Sequence, residues 1–261
     1  MFPLISVIIV NYRSERCLGE CVASVYAKFA EKITFEIIIV NNDPDAELTE
    51  IRKSFPDAKI ISAGKNLGFG AGCNLGAASS SGDIFLFLNP DAQIYSENIQ
   101  EITSLFGKDP SLGIIGSRIT RANGRVQKWS AGYEIDLINI VRNNLQMPKS
   151  AKIWNAERPT PAHWVSGTAL FIRNDLFKKL GGFDENFFMY FEDMDLCKRA
   201  GELEQKVVYC PNFTVTHSGG KSYSEKNVQK NDYYRSQEYY FKKHRCFLEW
   251  LVVKLLGKIF T

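Results

Sequence analysis

Residues 5–14 read ISVIIVNYRS and residues 35–44 read FEIIIVNNDP. Each is a β-branched apolar run that breaks into a polar turn. The runs are continuous rather than alternating, which marks strands covered on both faces. Between them Glu15 to Phe29 carries helical periodicity, a second helix is expected over 46–54, and 58–62 reads as a further short strand. Strand, polar loop, helix, strand is the βαβ signature of a parallel sheet, whose ligands sit at the carboxyl ends of the strands. The loops at 11–14 and 41–43 lie at those ends.

Downstream, residues 64–76 read GKNLGFGAGCNLG. A dinucleotide fingerprint is refused by the spacing: after Gly68 and Gly70 the third required position is Cys73, and the stretch does not follow the first strand. No Gly-Lys-Ser/Thr closes it as a Walker loop would. Two readings stay open, a backbone that approaches a phosphate or base closely and a plain glycine-rich turn into a helix over 71–78. A buried strand at 83–88 ends at Asn89-Pro90-Asp91, where proline stops the strand and turns Asp91 to the sheet's carboxyl edge. A hard cation bridging two phosphates suits that position, and so does an ordinary turn aspartate. A helix at 97–106 and a strand at 113–117 continue the α/β pattern. It fades over 118–160, a segment with Trp129, Trp154 and several cations that reads as a lid, an acceptor-binding loop or a surface excursion.

Residues 164–199, WVSGTALFIRNDLFKKLGGFDENFFMYFEDMDLCKR, hold acids against an apolar wall. The run 169–172 leads into a short helix ending at Gly181-Gly182. An aromatic loop then delivers Glu192, Asp193 and Asp195. Low dielectric and mutual repulsion both raise a carboxylate pKa toward the range of a general base. The same text reads as a capped helix, with Asp193 capping the first turn, Asp195 pairing Arg199 at i,i+4, and Gly201 as the stop. A strand follows at 206–210, then His217 ahead of a Gly-Gly-Lys-Ser turn, where it is either structural or shares a divalent ion with Asp91. The last thirty residues read as helix, aromatic and basic first and then CFLEWLVVKLLGKIF, which is too short and too charged to span a bilayer. They can lie in a membrane interface or pack on a partner helix.

At 261 residues one large core with a tail is expected, and the eighteen Phe and eleven Tyr suit a cleft or interface. A net charge of +3 argues against a dedicated duplex nucleic-acid binder. Six scattered cysteines without a CxxC pair read as reduced thiols of a cytoplasmic protein.

Taken together, the motifs VIIVNYRS, IIIVNNDPD, NLGFGAGCNLG, LFLNPD, VSGTALFIR, GGFDENFFMYFEDMDLCKR and HSGGKS resemble, in order, those of glycosyltransferase family 2. These are inverting enzymes of the GT-A fold, and the rhamnosyltransferase-like branch is the nearest in pattern. The resemblance implies a Rossmann-like, mainly parallel sheet flanked by helices over 1–225, with a C-terminal amphipathic helical tail at 226–261. It implies a nucleotide-diphosphate sugar donor, with dTDP-rhamnose the best guess, and a divalent cation, Mg2+ or Mn2+. Donor contacts fall on Asn11, Tyr12, Asn41, Asp43, Asn66, Asn74, Asn89, Asp91, Gly167, Lys221 and Ser222. Asn89 stands where the family's metal motif has its first aspartate, so metal contact is carried over to Asp91, with His217 the second ligand.

Catalysis falls on Asp193 as base, with Glu192 beside it. The acceptor implied is a glycan or polyprenyl-diphosphate-linked sugar, reached from the cytoplasm, with peripheral contact at the inner face of the plasma membrane or a homodimer through the tail. A nucleotidyltransferase would need a glycine-rich phosphate loop at 11–14. A non-catalytic sugar-nucleotide scaffold would be expected to lack Asp193 or Asp91.

Overall fold

The two opening apolar runs lie side by side in parallel, Ile5 opposite Phe35 and Asn11 opposite Asn41, in a computed structural model that describes residues 3–96, 98–144, 149–219 and 226–260. The first half of the chain is β1 (Ile5–Asn11), α1 (Glu15–Phe29), β2 (Phe35–Asn41), α2 (Thr49–Ser54), β3 (Lys59–Ser62), α3 (Phe69–Ala78) and β4 (Ile84–Leu88). Then come β5 (Ala92–Ile94), α4 (Ile99–Lys108), β6 (Leu112–Thr120), β7 (Ala131–Gly132), α5 (Leu137–Asn144), α6 (Ala151–Trp154), β8 (Thr160–Ala162) and β9 (Trp164–Val165). The remainder is β10 (Ala169–Arg173), α7 (Asn174–Lys179), α8 (Glu192–Glu202), β11 (Lys206–His217), α9 (Lys226–His244) and α10 (Phe247–Phe260).

The main sheet runs β3-β2-β1-β4-β10-β6-β11-β5, with β8 also on β11, and β7 pairs β9 apart from it. β1, β2, β3, β4, β6 and β11 share one direction, and β10 runs against both its neighbours. Between β6 and β10 the chain passes through β7, α5, α6, β8 and β9, and β10 then enters the sheet between β4 and β6 from the turn at Gly167 and Thr168. Alternate residues of β1 feed opposite faces. Ile5, Val7 and Ile9 pack with α1 residues Leu18, Val22 and Val25, while Ile8 and Val10 pack with Cys73 and Ala77 of α3.

The glycines of α3 serve that second face. A Cβ on Gly76 would lie 2.5 Å from Ile8 Cγ2, and one on Gly72 2.8 Å from Val10 Cγ1. The helix therefore seats directly on the strands, a packing role for glycines that were also legible as a ligand cradle.

Predicted strands lengthen where bulges bend them. The strand expected at 206–210 continues to His217 as β11, with its register on β6 shifting between Cys210 and Thr214. The C-terminal text becomes two helices. α9 packs on the body, with Tyr240 and Phe241 joining Phe187, Phe191 and Val253 of α10 in a buried cluster. On α10 Phe247, Leu248, Val252, Leu255 and Leu256 stay exposed. No helix among the described residues is long and apolar enough to cross a membrane.

Candidate active site

At the carboxyl ends of β1, β2 and β4 opens a cleft of about 320 Å³. Of the expected donor residues, Tyr12, Asn66, Asn89 and Asp91 line it, joined by Arg13, Asn42, Phe69 and, from α9, Val228 and Asp232. Asn11, Asn41, Asp43 and Asn74 face inward. Asn11 Nδ2 donates to Asn41 Oδ1 and to Glu15 Oε1, each at 3.0 Å, tying the first two strand ends together. Asn41 Nδ2 donates to the Ala46 carbonyl at 2.6 Å, and Asp43 accepts from the Asp45 N–H at 3.1 Å. Asn74 grips the Phe183 backbone in both directions, at 2.8 and 2.9 Å, and donates to Glu185. Lys221 and Ser222 lie outside the described residues.

The pairing of β5 with β11, Ala92 opposite His217, brings Asp91 and His217 together from 126 residues apart. Asp91 Oδ1 lies 3.1 Å from His217 Nε2, Asn89 Nδ2 is 3.5 Å from the same nitrogen, and His217 Nδ1 meets Gln127 Oε1 at 3.0 Å. Burial pushes the Asp91 carboxyl up, but the hydrogen bond and charge of His217 and the Gly219 N–H outweigh it and hold the pKa below its ordinary value. With Nδ1–H given to Gln127, a neutral His217 would present its Nε2 lone pair beside the Asp91 carboxylate. That donor set fits one divalent cation held by an oxygen and an imidazole. Among the described residues no third His, Cys, Asp or Glu joins them, so a diphosphate and water would supply the other ligands.

The acids of α8 sit across a single turn from that pair. Gly167 N donates to Asp193 Oδ2 at 2.8 Å, and Asn89 N donates to the carbonyl of the next residue, Thr168, at 2.9 Å. A Cβ on Gly167 would meet Phe69 of the cleft wall at 3.1 Å and Asp193 Cβ at 3.5 Å. Asp193 serves the first turn of α8 only in part: Phe191 occupies the N-cap position in the left-handed region, and the Asp193 carboxylate accepts from Met194 N with one oxygen and from Gly167 N with the other.

Burial raises both acids, Glu192 the further because Asp193 repels it and its Oε2 has no hydrogen-bond partner among the described residues. The N–H bonds from Gly167 and Met194 offset part of the rise at Asp193. Of the two, Asp193 is therefore the less raised and the first to ionise.

Two consecutive non-glycine residues, Tyr190 at φ 68° and Phe191 at φ 67°, turn the chain into α8. Such conformations cost about 1–3 kcal/mol each and persist only where surroundings over-determine them. Here α9 does so: Ser236 Oγ donates to the Met189 carbonyl and Gln229 Nε2 to the Tyr190 hydroxyl, both at 2.7 Å. Tyr233 packs on the Tyr190 and Phe191 rings, with centroids 5.8 and 5.3 Å away.

Sequence reading missed Asn42, Arg13, Gln127 and the α9 residues. Asn42 had a signal, since it stands in the same polar loop as Asn41. Its side chain is buried, donates to the Gly68 carbonyl at 2.9 Å and leaves Oδ1 without a partner among the described residues. Gln127 and Asp232 had none, being brought to the cleft by folding alone.

This sheet order, with a cleft at the carboxyl ends of its strands, defines an α/β architecture of the GT-A type, and comparison with known proteins agrees. The model of Glycosyl transferase family 2 matches residues 6–181, and the chain belongs to that family. It is 28% identical over 222 residues to the low-salt glycan biosynthesis hexosyltransferase Agl10 of Haloferax volcanii, covering 84% of this chain and 68% of the relative. It is also 28% identical over 239 residues to the N-acetylglucosaminyl-diphospho-decaprenol L-rhamnosyltransferase of Mycobacterium tuberculosis, covering 83% and 76%. The GT-A fold is shared with the mannosyltransferase PcManGT of Pyrobaculum calidifontis, solved with GDP-Man and Mn2+, at TM-score 0.67 and 14% identity. That match covers 93% of this chain and 64% of the solved one, so this chain spans under two thirds of the solved chain.

Proposed function

We propose that the chain transfers a hexosyl group, L-rhamnose from dTDP-rhamnose, with inversion, to a hydroxyl of a glycan or polyprenyl-diphosphate-linked sugar in surface polysaccharide synthesis. The observation that carries this is the Gly167–Thr168 turn, whose backbone ties the Asp193 carboxylate to one side and the Asn89–Asp91 turn to the other. The relative named as an L-rhamnosyltransferase and the one named as a hexosyltransferase support the sugar class.

In this reading Asp193 accepts the proton of the acceptor hydroxyl as its oxygen bonds to the anomeric carbon. The bond from that carbon to the diphosphate oxygen breaks on the opposite face, and the electron pair leaves with the diphosphate. A base of this kind contributes about 10²–10⁴ in rate. Glu192, whose carboxyl is the further raised of the two by burial and by Asp193, is the last of the pair to ionise. Asp91 and His217 would hold a divalent cation, which supplies positive charge against the leaving diphosphate. The polar wall of Tyr12, Asn42 and Asn66 suits the nucleoside. The apolar face of α10 suits peripheral contact with a membrane at its cytoplasmic side or a second copy of the chain.

A thermal-shift panel tests the assignment, with dTDP-rhamnose, UDP-glucose, UDP-GlcNAc and GDP-mannose, each with Mg2+, Mn2+ or EDTA. The expected result is a metal-dependent stabilisation by dTDP-rhamnose, whose metal dependence disappears in Asp91→Asn. A larger shift with a UDP- or GDP-sugar moves the donor assignment, and no shift with any of them overturns the nucleotide-sugar reading of the cleft.

A further inference from the structure

Apart from Gln127, the segment between β6 and β7 has no part in the chemistry above. Residues 118–133, RITRANGRVQKWSAGY, carry four cations and no acid. They form a small hairpin: Thr120 bridges Val126, Arg121 N donates to the Arg125 carbonyl at 2.9 Å, and Gln127 N donates to Ile119 at 2.8 Å. Arg121, Arg125 and Lys128 are exposed.

Trp129 follows with a left-handed backbone, φ 65°, and remains 41% exposed. It is held in place rather than loose. Its ring meets Trp154 edge-on, centroids 5.2 Å apart, and buried Trp154 is itself anchored by Nε1–H to the Ala131 carbonyl at 2.6 Å. Strain and solvent exposure of a large indole both cost stability, and their joint presence beside a reaction site points to use.

Its neighbours fix where that use is. Two residues before it Gln127 holds His217, at 3.0 Å; the residue after it, Ser130, accepts from Ser166 N at 2.9 Å, and Gly167 next to Ser166 holds Asp193. Trp129 thus stands in the chain between the anchor of the diphosphate side and the anchor of the proton acceptor. A group whose hydroxyl reaches Asp193 has the rest of its body to place near by.

We infer that Trp129 and the basic hairpin form the subsite for a pyranosyl diphosphate acceptor, the indole taking the sugar ring and Arg121, Arg125 and Lys128 taking its diphosphate. The inference rests on the transferase reading and names the substrate class of the same site. Indole is a rigid apolar surface that suits the C–H face of a pyranose. Guanidinium and ammonium groups match phosphate oxygens, and such exposed contacts weaken with salt.

The test uses the full chain and a labelled, short-chain N-acetylglucosaminyl-diphospho-lipid, with binding read by equilibrium dialysis without donor. Trp129→Ala should weaken binding about tenfold, a loss of the size one good contact carries, and Trp129→Tyr should recover most of it. The variant carrying Arg121→Gln, Arg125→Gln and Lys128→Gln should lose about as much and lose its salt dependence as well. It should not change competition by methyl N-acetylglucosaminide, which lacks the diphosphate. Unchanged affinity in both variants overturns the inference. So does a triple variant that loses binding to phosphatidylglycerol vesicles while holding the probe normally, since the hairpin would then serve lipid headgroups. Stabilisation by dTDP-rhamnose, measured on the same samples, should stay as in wild type. Its absence from the wild type would sink the donor assignment without touching the dialysis result.

Discussion

Two acid sites lie within one helical turn of α8 and behave in opposite ways. Glu192 and Asp193 stand against Gly70, Cys73 and Gly167 with no cation beside them among the described residues, and burial raises both. Asp195, two residues on and fully buried, accepts from Arg199 Nε at 2.7 Å and meets His244 Nε2 at 2.7 Å and Lys243 Nζ at 2.6 Å. Burial pushes it up as well, yet those partners, His244 foremost, hold it below its ordinary value. Lys243 also reaches Asp184 at 2.6 Å, and with the Asn186 bonds it takes that acid to about 2 although burial opposes the fall. The contrast teaches that desolvation is common to the whole turn and that the placement of cations decides which acids stay ionised. One pair is left reactive, and the other clamps α9 to the body.

Removing the reactive carboxylate should give the largest effect. Asp193→Asn is expected to lower transfer by about 10²–10⁴ while donor-induced thermal stabilisation persists; retention of more than a tenth of wild-type turnover would show that another group takes the proton. Next comes the clamp. Asp195→Ala strands Arg199, Lys243 and His244 around an emptied site, and loss of one partner from a buried ionic cluster costs about 3–5 kcal/mol. Urea midpoints should fall accordingly, and a fall no larger than that of a surface substitution would remove the clamp from the account.

Lys243→Met takes away one partly exposed cation that serves two acids, and about 1–2 kcal/mol is expected from the same measurement. The smallest effect is a pH profile. Because Glu192 titrates above its ordinary 4.5, its contribution to stability is present in full below that value and is lost as pH rises toward its folded pKa. Asp195, depressed below 3.8, contributes above that value and loses its contribution as pH falls through its folded pKa. Glu192→Gln should therefore flatten the decline of melting temperature as pH rises above 4.5 and leave the acid limb alone. An unchanged slope there would mean that the Glu192 pKa is not raised on folding.

Part of this was legible from the chain. The Asp195–Arg199 pair followed from i,i+4 spacing, and the Gly181-Gly182 stop of α7 is met by two positive φ angles, 73° and 78°. At Asp193 the local rule for first-turn acids gave the bond from Met194 N and missed the second one, because Gly167 N is a donor from far along the chain. Lys243 and His244 looked like the basic end of a tail, since nothing within their own window says that Asp195 lies beneath them.

By itself the sequence determined the alternation of buried strands and helices over residues 5–117, the polar loops at the strand ends, and the ordered motifs of the family. Those features are local: periodicity, β-branching and turn chemistry act within a few residues. Only the tertiary structure decided the reversal of β10, the meeting of Asp91 with His217, the support of the strained Tyr190–Phe191 turn by α9, and the divergence of neighbouring acids. Each depends on which group packs where from far along the chain, and desolvation and Coulomb energy are set by that packing in space.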